Sequence, residues 1–269
     1  MKVRKNIAII LLVLGSIALL FGGFFYGKEF VYTRGIKEYN PGSTYNNQLV
    51  AINGGLVTDE TAYDKELETG CDSAILLREV KMLQWVNDGK GIRLALVNYP
   101  VDSFEVDGKK YINPNFYNQL YRVVNHGVLM AGDIKIDSSV LDLLANTSFV
   151  EKTQVEDVNI NVGAKYGLAP YNGSYVSASD EWSIGEAKID LHEVTDESLE
   201  KVTIIGKVNN NVLSDAKVLN GSLSVSEIQG TLLKDSILYL LIGGCGLVVI
   251  LIGILLLAIK SGKKNEVQE

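Results

Sequence analysis

The run Ile237–Ile259, ILYLLIGGCGLVVILIGILLLAI, passes through 23 positions without a charged residue. At the helical rise of about 1.5 Å per residue it spans roughly 30–35 Å, enough for a bilayer's hydrocarbon core. A second run, Ile7–Tyr26 (IAIILLVLGSIALLFGGFFY), has 20 residues and the same character. A removable signal peptide would have an apolar stretch of roughly 7–15 residues ending at small residues. This run instead closes on Phe24, Phe25 and Tyr26, aromatics suited to a lipid–water boundary, and Tyr239 marks the matching boundary of the other run. Transmembrane helices are expected over 7–26 and 237–259.

Topology follows from flanking charge. Lys2, Arg4 and Lys5 precede the first run, and Lys260, Lys263 and Lys264 follow the second. Two spans place both ends on one side, so the positive-inside rule makes 1–6 and the tail 260–269 cytoplasmic. The favoured location is a bacterial cell membrane, with the endoplasmic reticulum or nuclear envelope as the eukaryotic alternative. Between the spans, residues 28–235 hold 19 Lys plus Arg against 30 Asp plus Glu. Such an acidic segment is repelled by nucleic acid and anionic headgroups, so nucleic acid is excluded as a partner. The chain is 47% hydrophobic with 4 prolines, which excludes a disordered or collagen-like chain.

The connecting segment reads as a linker over 27–47, around Pro41-Gly42 and Asn46-Asn47, and then a domain over 48–235. Gln48–Thr58 spells a strand broken at Gly54-Gly55. Ala74–Val86 and Ile92–Asn98, separated by Asn87-Asp88-Gly89-Lys90-Gly91, spell a β-hairpin, although Leu76, Leu77, Val80 and Leu83 also fit a helical period in the first arm. A turn is expected at Asp107-Gly108, a short helix over Asn115–Val124, an extended stretch around Gly132, and a helix to Leu144 capped by Ser138 or Ser139. Ile184–Val194 alternates, with Ala187, Ile189 and Leu191 on one face and Glu186, Lys188, Asp190 and His192 on a wet one. Lys201–Val208 is strand-like and Asn209-Asn210-Asn211 a turn. The fold class expected is a membrane protein with an α+β or mainly β extracytoplasmic domain between two transmembrane helices.

Chemistry-bearing motifs are few. His126 and His192 have no ligand-spaced partner, so no metal site is expected, and His192 reads as a surface residue. Cys71 is read as a buried thiol or an intermolecular disulfide partner; Cys245, inside a span, cannot pair with it. A Cys71–His126 nucleophilic pair has no local motif behind it. The acidic run Asp190, Glu193, Asp196, Glu197 and Glu200 lacks calcium-loop spacing and reads as a solvated face. No phosphate loop, dinucleotide fingerprint or nucleophile elbow occurs, so no catalytic residue and no cofactor is expected. Asn146, Asn172 and Asn220 open glycosylation patterns that count only in a secretory lumen. In the spans, Gly15, Ala18 and Gly22, and Gly246 and Gly253, have the small-residue spacing that lets helix backbones approach closely. Neither span holds an Asp, Glu, Lys, Arg or His, which argues against an ion or proton pathway.

Several stretches resemble the transmembrane protein 43 (LUMA) family. They are Leu49–Leu56 (LVAINGGL), Leu77–Trp85 (LREVKMLQW), Asn113-Pro114, the strand around Gly132, Ile184–Ile189 (IGEAKI) and Val202–Lys207 (VTIIGK), in the family's order. The resemblance covers about Leu49 to Ile228. Members carry several carboxy-terminal spans where this chain shows one. The resemblance implies a non-enzymatic membrane organiser whose animal members self-associate and contact emerin and lamins; only the membrane-scaffold element transfers to a bacterium. A scaffold or sensor that binds the lipid bilayer, itself and other membrane proteins is the expected function, with a membrane-anchored extracytoplasmic enzyme as the alternative.

Overall fold

The computed structural model describes residues 2–177 and 182–258, with side chains from Lys5 onward. Ile259, the tail 260–269 with its lysines, and the side chains of Lys2 and Arg4 lie outside the described residues, and with them most of the charges behind the topology expectation. Two compact units form: one from residues 1–37 and 223–269, the other from 38–222.

The first unit is helical. Its first helix, Lys2–Arg34, does not stop at Tyr26. The linker expected over 27–47 therefore begins as a helix, because nothing between Gly27 and Arg34 breaks the ladder and the stop comes only at Gly35, whose N–H closes on Val31 O and Tyr32 O. A helix over Val225–Asp235 opens with a capping box: the Ser224 hydroxyl accepts from Glu227 N while the Glu227 carboxylate accepts from Ser224 N. It belongs to this unit rather than to the sheet domain, which ends at Ser222 instead of residue 235. Gln229 donates from Nε2 to Thr33 O at 3.1 Å. The last helix is Ile237–Ala258.

The second unit contains two main sheets. In the first, Gln48–Asn53, Val202–Asn209, Val212–Asn220, Ile134–Ile136, Val128–Ala131 and Leu56–Glu60 lie side by side in that order. All neighbours are antiparallel except Ile134–Ile136 with Val212–Asn220. Gly54 and Gly55 both take φ near +65°, a conformation that costs a side-chain-bearing residue, and this breaks the first strand as expected. The helix Ser138–Asn146 is capped by Asp137, not by Ser138 or Ser139: the Asp137 carboxylate accepts from Ser139 N at 2.9 Å. Ile52, Leu129, Ile134, Leu141, Ile204 and Leu213 fill this core.

The second sheet is built on a long strand, Ile75–Asn87, whose near half pairs with Val123–His126 and far half with Ile92–Val97. Ala187–Glu193 runs along its other side, followed by Ser174–Val176 and Ala169–Tyr171. The helix expected over Asn115–Val124 is absent: residues 115–122 are irregular and Val123–His126 is strand, because Leu120 is drawn into the second core with Leu76, Val80, Tyr175 and Ile189. Past the end of Ala187–Glu193, the Leu83 main chain bonds to Glu186 O and Gly185 N, and the Asn113 side chain takes over at Trp85. Its Oδ1 accepts from Trp85 N at 2.7 Å and its Nδ2 donates to Trp85 O at 2.9 Å.

Candidate functional site

In the helical unit, the first and last helices run antiparallel in contact, and small residues set the distance between them. A Cβ built on Gly15 would stand 2.7 Å from Gly246 O and 2.8 Å from Ile250 Cγ1. One on Gly246 would stand 2.6 Å from Leu19 N and 3.0 Å from the Ala18 methyl. One on Gly22 would fall on the Gly243 backbone and the Tyr239 carbonyl, and one on Gly253 would come within 3.0 Å of Leu12 Cγ. Gly15, Ala18, Gly22, Gly246 and Gly253 therefore lie along one contact line. Gly243 and Ala8 join them without having been singled out by spacing; the signal was Gly243 three residues before Gly246. The line ends in a stack of Phe25 on Tyr239, with ring centroids 5.3 Å apart. Outward, Leu20, Phe24, Leu238 and Leu241 are exposed, as is Cys245. Both helices are long and apolar enough to cross a membrane.

No family model, curated protein or solved structure matches the chain.

In the sheet unit the most concentrated chemistry lies on the face expected to be wet. Glu79, Asp190 and His192 bring three possible ligand atoms within 4.8 Å of one another. That face is half-covered, and Asp190 is buried, because the neighbouring strands carry long polar chains that pair across it. The Lys81 ammonium stands 2.9 Å from Glu79 Oε2 and 3.2 Å from Asp190 Oδ2, while Lys188 stands 2.8 Å from Asp190 Oδ1. Burial alone would raise both carboxyl groups, but these ammoniums, with the Ser174 hydroxyl on Asp190, hold them below the usual range. Burial likewise pushes His192 down, against Asp190 and Glu79, and its Nδ1 is buried without a hydrogen-bond partner. A cation entering here would have to displace an ammonium, so the cluster works as an internal ion-pair ladder.

The other acidic residues of the run disperse. Glu193 accepts from Asp72 N, and Asp196 bonds to the Thr58 N–H and hydroxyl. His126 faces Asp142 at 3.0 Å, while the Cys71 thiol lies on Ser73 and the Ala62 carbonyl, so the two are not brought into a bonded pair. Burial raises the Cys71 pKa over the opposing effect of its hydrogen bonds with Ser73. The thiol opens onto a cavity of about 320 Å³ that it shares with Asp72, Glu156, Asp157 and Glu193. The Glu193 carboxylate disfavours a thiolate further. Beneath the sheet, Arg78 holds Asp64 through Nη1 at 2.9 Å, with side-chain exposures of 3% and 1%, and also pairs with Glu66. Its Nε donates to Tyr121 O. Sequence reasoning missed this pair, since Arg78 lies on the long strand Ile75–Asn87 and Asp64 on the separate two-residue strand Tyr63–Asp64. Asn146, Asn172 and Asn220 are all exposed.

Proposed function

We propose that this chain is a two-span membrane scaffold or sensor without enzymatic activity, organising protein assemblies at a membrane. Both terminal helices cross the bilayer, and the sheet unit between them lies on the extracytoplasmic side. One observation carries the reading: the first and last helices, long and apolar enough to span, pack backbone to backbone on glycine. Lipid gives no hydrophobic drive for helix association, so close approach of small residues is how spans hold together. The resemblance to the transmembrane protein 43 family supports the same assignment. The anchored-enzyme alternative draws no support from Cys71, whose thiol is half-buried and held protonated, or from the carboxylate cluster, which Lys81 already occupies.

Two experiments test it. Protease added to sealed, right-side-out vesicles should clip the sheet unit; a protected unit overturns the topology. Crosslinking in intact membranes, followed by sizing in mild detergent, should capture self-associated chains or other membrane proteins, whereas a strict monomer without captured partners overturns the scaffold assignment.

A further inference from the structure

The second sheet has one margin that differs from three other strand edges of this unit. Leu56–Glu60 of the first sheet ends in Asp59 and Glu60, Ala169–Tyr171 carries Pro170, and Val123–His126 packs against the helix Ser138–Asn146. Charges, proline and a covering helix are the usual means of blunting a strand edge. Ile92–Val97, IRLALV, has a strand neighbour on one side only, no proline, and a single charge, Arg93. Leu94 and Leu96 are each 40% exposed.

Which main-chain groups face outward follows from the ladder. Leu83 and Trp85 pair with Leu96 and Leu94, yet their N–H and C=O groups turn away from those partners to Glu186, Gly185 and Asn113. In an antiparallel ladder a residue and its opposite face the same way relative to the shared gap. The N–H and C=O groups of Leu94 and Leu96 therefore point out of the sheet, and among the described residues none of them meets a partner. The open margin offers extended-chain hydrogen bonding beside an apolar row of Ile92, Leu94 and Leu96.

We infer that this margin pairs with the same strand of a second copy of the chain, antiparallel about a two-fold axis. Self-pairing fits the residues. An axis through Leu94 sets Ile92 opposite Leu96 and Arg93 opposite Ala95; an axis through Ala95 sets Leu94 opposite Leu96 and Arg93 opposite Val97. In the first register Ile92, Leu94 and Leu96 meet only one another; in the second Leu94 and Leu96 do so while Ile92 falls opposite Asn98, and in neither does Arg93 meet its own copy. Spans inserted in the same orientation also hold every copy's sheet unit on one side of the membrane, at high effective concentration. The inference deepens the scaffold reading, on which it rests, by naming the surface at which a second copy docks.

Single cysteines report on it in the full chain, in membranes, with Cys71→Ser and Cys245→Ala as background. Under mild oxidation Leu94→Cys or Ala95→Cys should give a disulfide-linked dimer at least ten-fold above Val57→Cys, which exposes a side chain on an acid-bearing edge. Leu94→Lys should cut the dimer captured by a general amine crosslinker at least ten-fold, with thermal unfolding unchanged. If the crosslinker captures dimers but neither cysteine links above the Val57→Cys level, the strand-edge inference fails and the scaffold reading stands. If no dimer or partner forms by any route, both fail. Linkage of these cysteines to a different protein overturns the second copy as occupant.

Discussion

Where the two terminal helices meet, the residues are Gly15, Gly22, Gly243 and Gly246; where the sheet unit closes on itself they are Ile52, Leu76, Leu141, Ile189 and Leu213. The same chain thus packs one unit by removing side chains and the other by inserting them. In water, burying a large apolar side chain contributes about 1.5–3 kcal/mol, so bulk is favoured inside. Between helices in lipid that gain disappears, and what remains is close backbone contact, which bulk prevents. Polar groups follow the same division. The sheet unit buries Arg78 with Asp64, and the described part of the helical contact line holds no charged residue.

Five substitutions, a titration and a labelling rate test this contrast. Arg78→Ala leaves Asp64 buried without its counter-charge, and unfolding of the sheet unit in detergent, followed by Trp fluorescence, should show a loss of about 3–5 kcal/mol. A loss below about 1 kcal/mol would mean that water replaces the guanidinium. Gly22→Ala should weaken helix pairing by about 1–3 kcal/mol, the cost of overpacking, whereas Gly23→Ala, whose Cβ meets nothing within 4 Å, should leave it unchanged. Cysteine crosslinking between the two helices separates these variants, and equal behaviour would sink the glycine contact line. Ser224→Ala removes one half of the capping box and should cost about 1 kcal/mol, read as fraying by hydrogen exchange at Val225–Glu227.

The titration concerns the charged ladder. Because desolvation lowers His192 in the folded chain, against the pull of Asp190 and Glu79, the unfolded chain takes up that proton first. Stability is full above the unfolded value of 6.5 and declines as pH falls below it. Glu79 and Asp190, held low, act with the same sign: their contribution is present above their unfolded values and lost as pH drops through the folded ones. His192→Gln should therefore flatten the first part of the acid limb; an unchanged limb would show that His192 stays hydrated. Cys71, raised by burial, should label slowly near neutral pH and speed up only on unfolding.

Local chemistry was legible in the sequence wherever it was self-sufficient. Gly54-Gly55, Asp107-Gly108 and Asn210-Asn211 take left-handed backbone conformations that favour those residue types, with Asn209 ending the strand before the last of these turns, and the hairpin arms Ile75–Asn87 and Ile92–Val97 follow from pattern and turn together. The small-residue spacing in the terminal helices was equally visible. What stayed hidden depends on residues far apart in the chain. Residues 115–122 look helical until Leu120 is claimed by a core built from other segments, and Asp190 looks solvated until Lys81 and Lys188 arrive to pair with it. The helix cap at Asp137 was missed because the serines beside it are equally good capping types.

The Asn113 amide has a further consequence. Because it satisfies both main-chain groups of Trp85, it stands where another strand would otherwise add, leaving the ribbon a single open flank. Strand addition with a valence of one terminates itself: two ribbons cap each other and none can lengthen into a filament. An apolar strand can then sit at a sheet margin without seeding fibres.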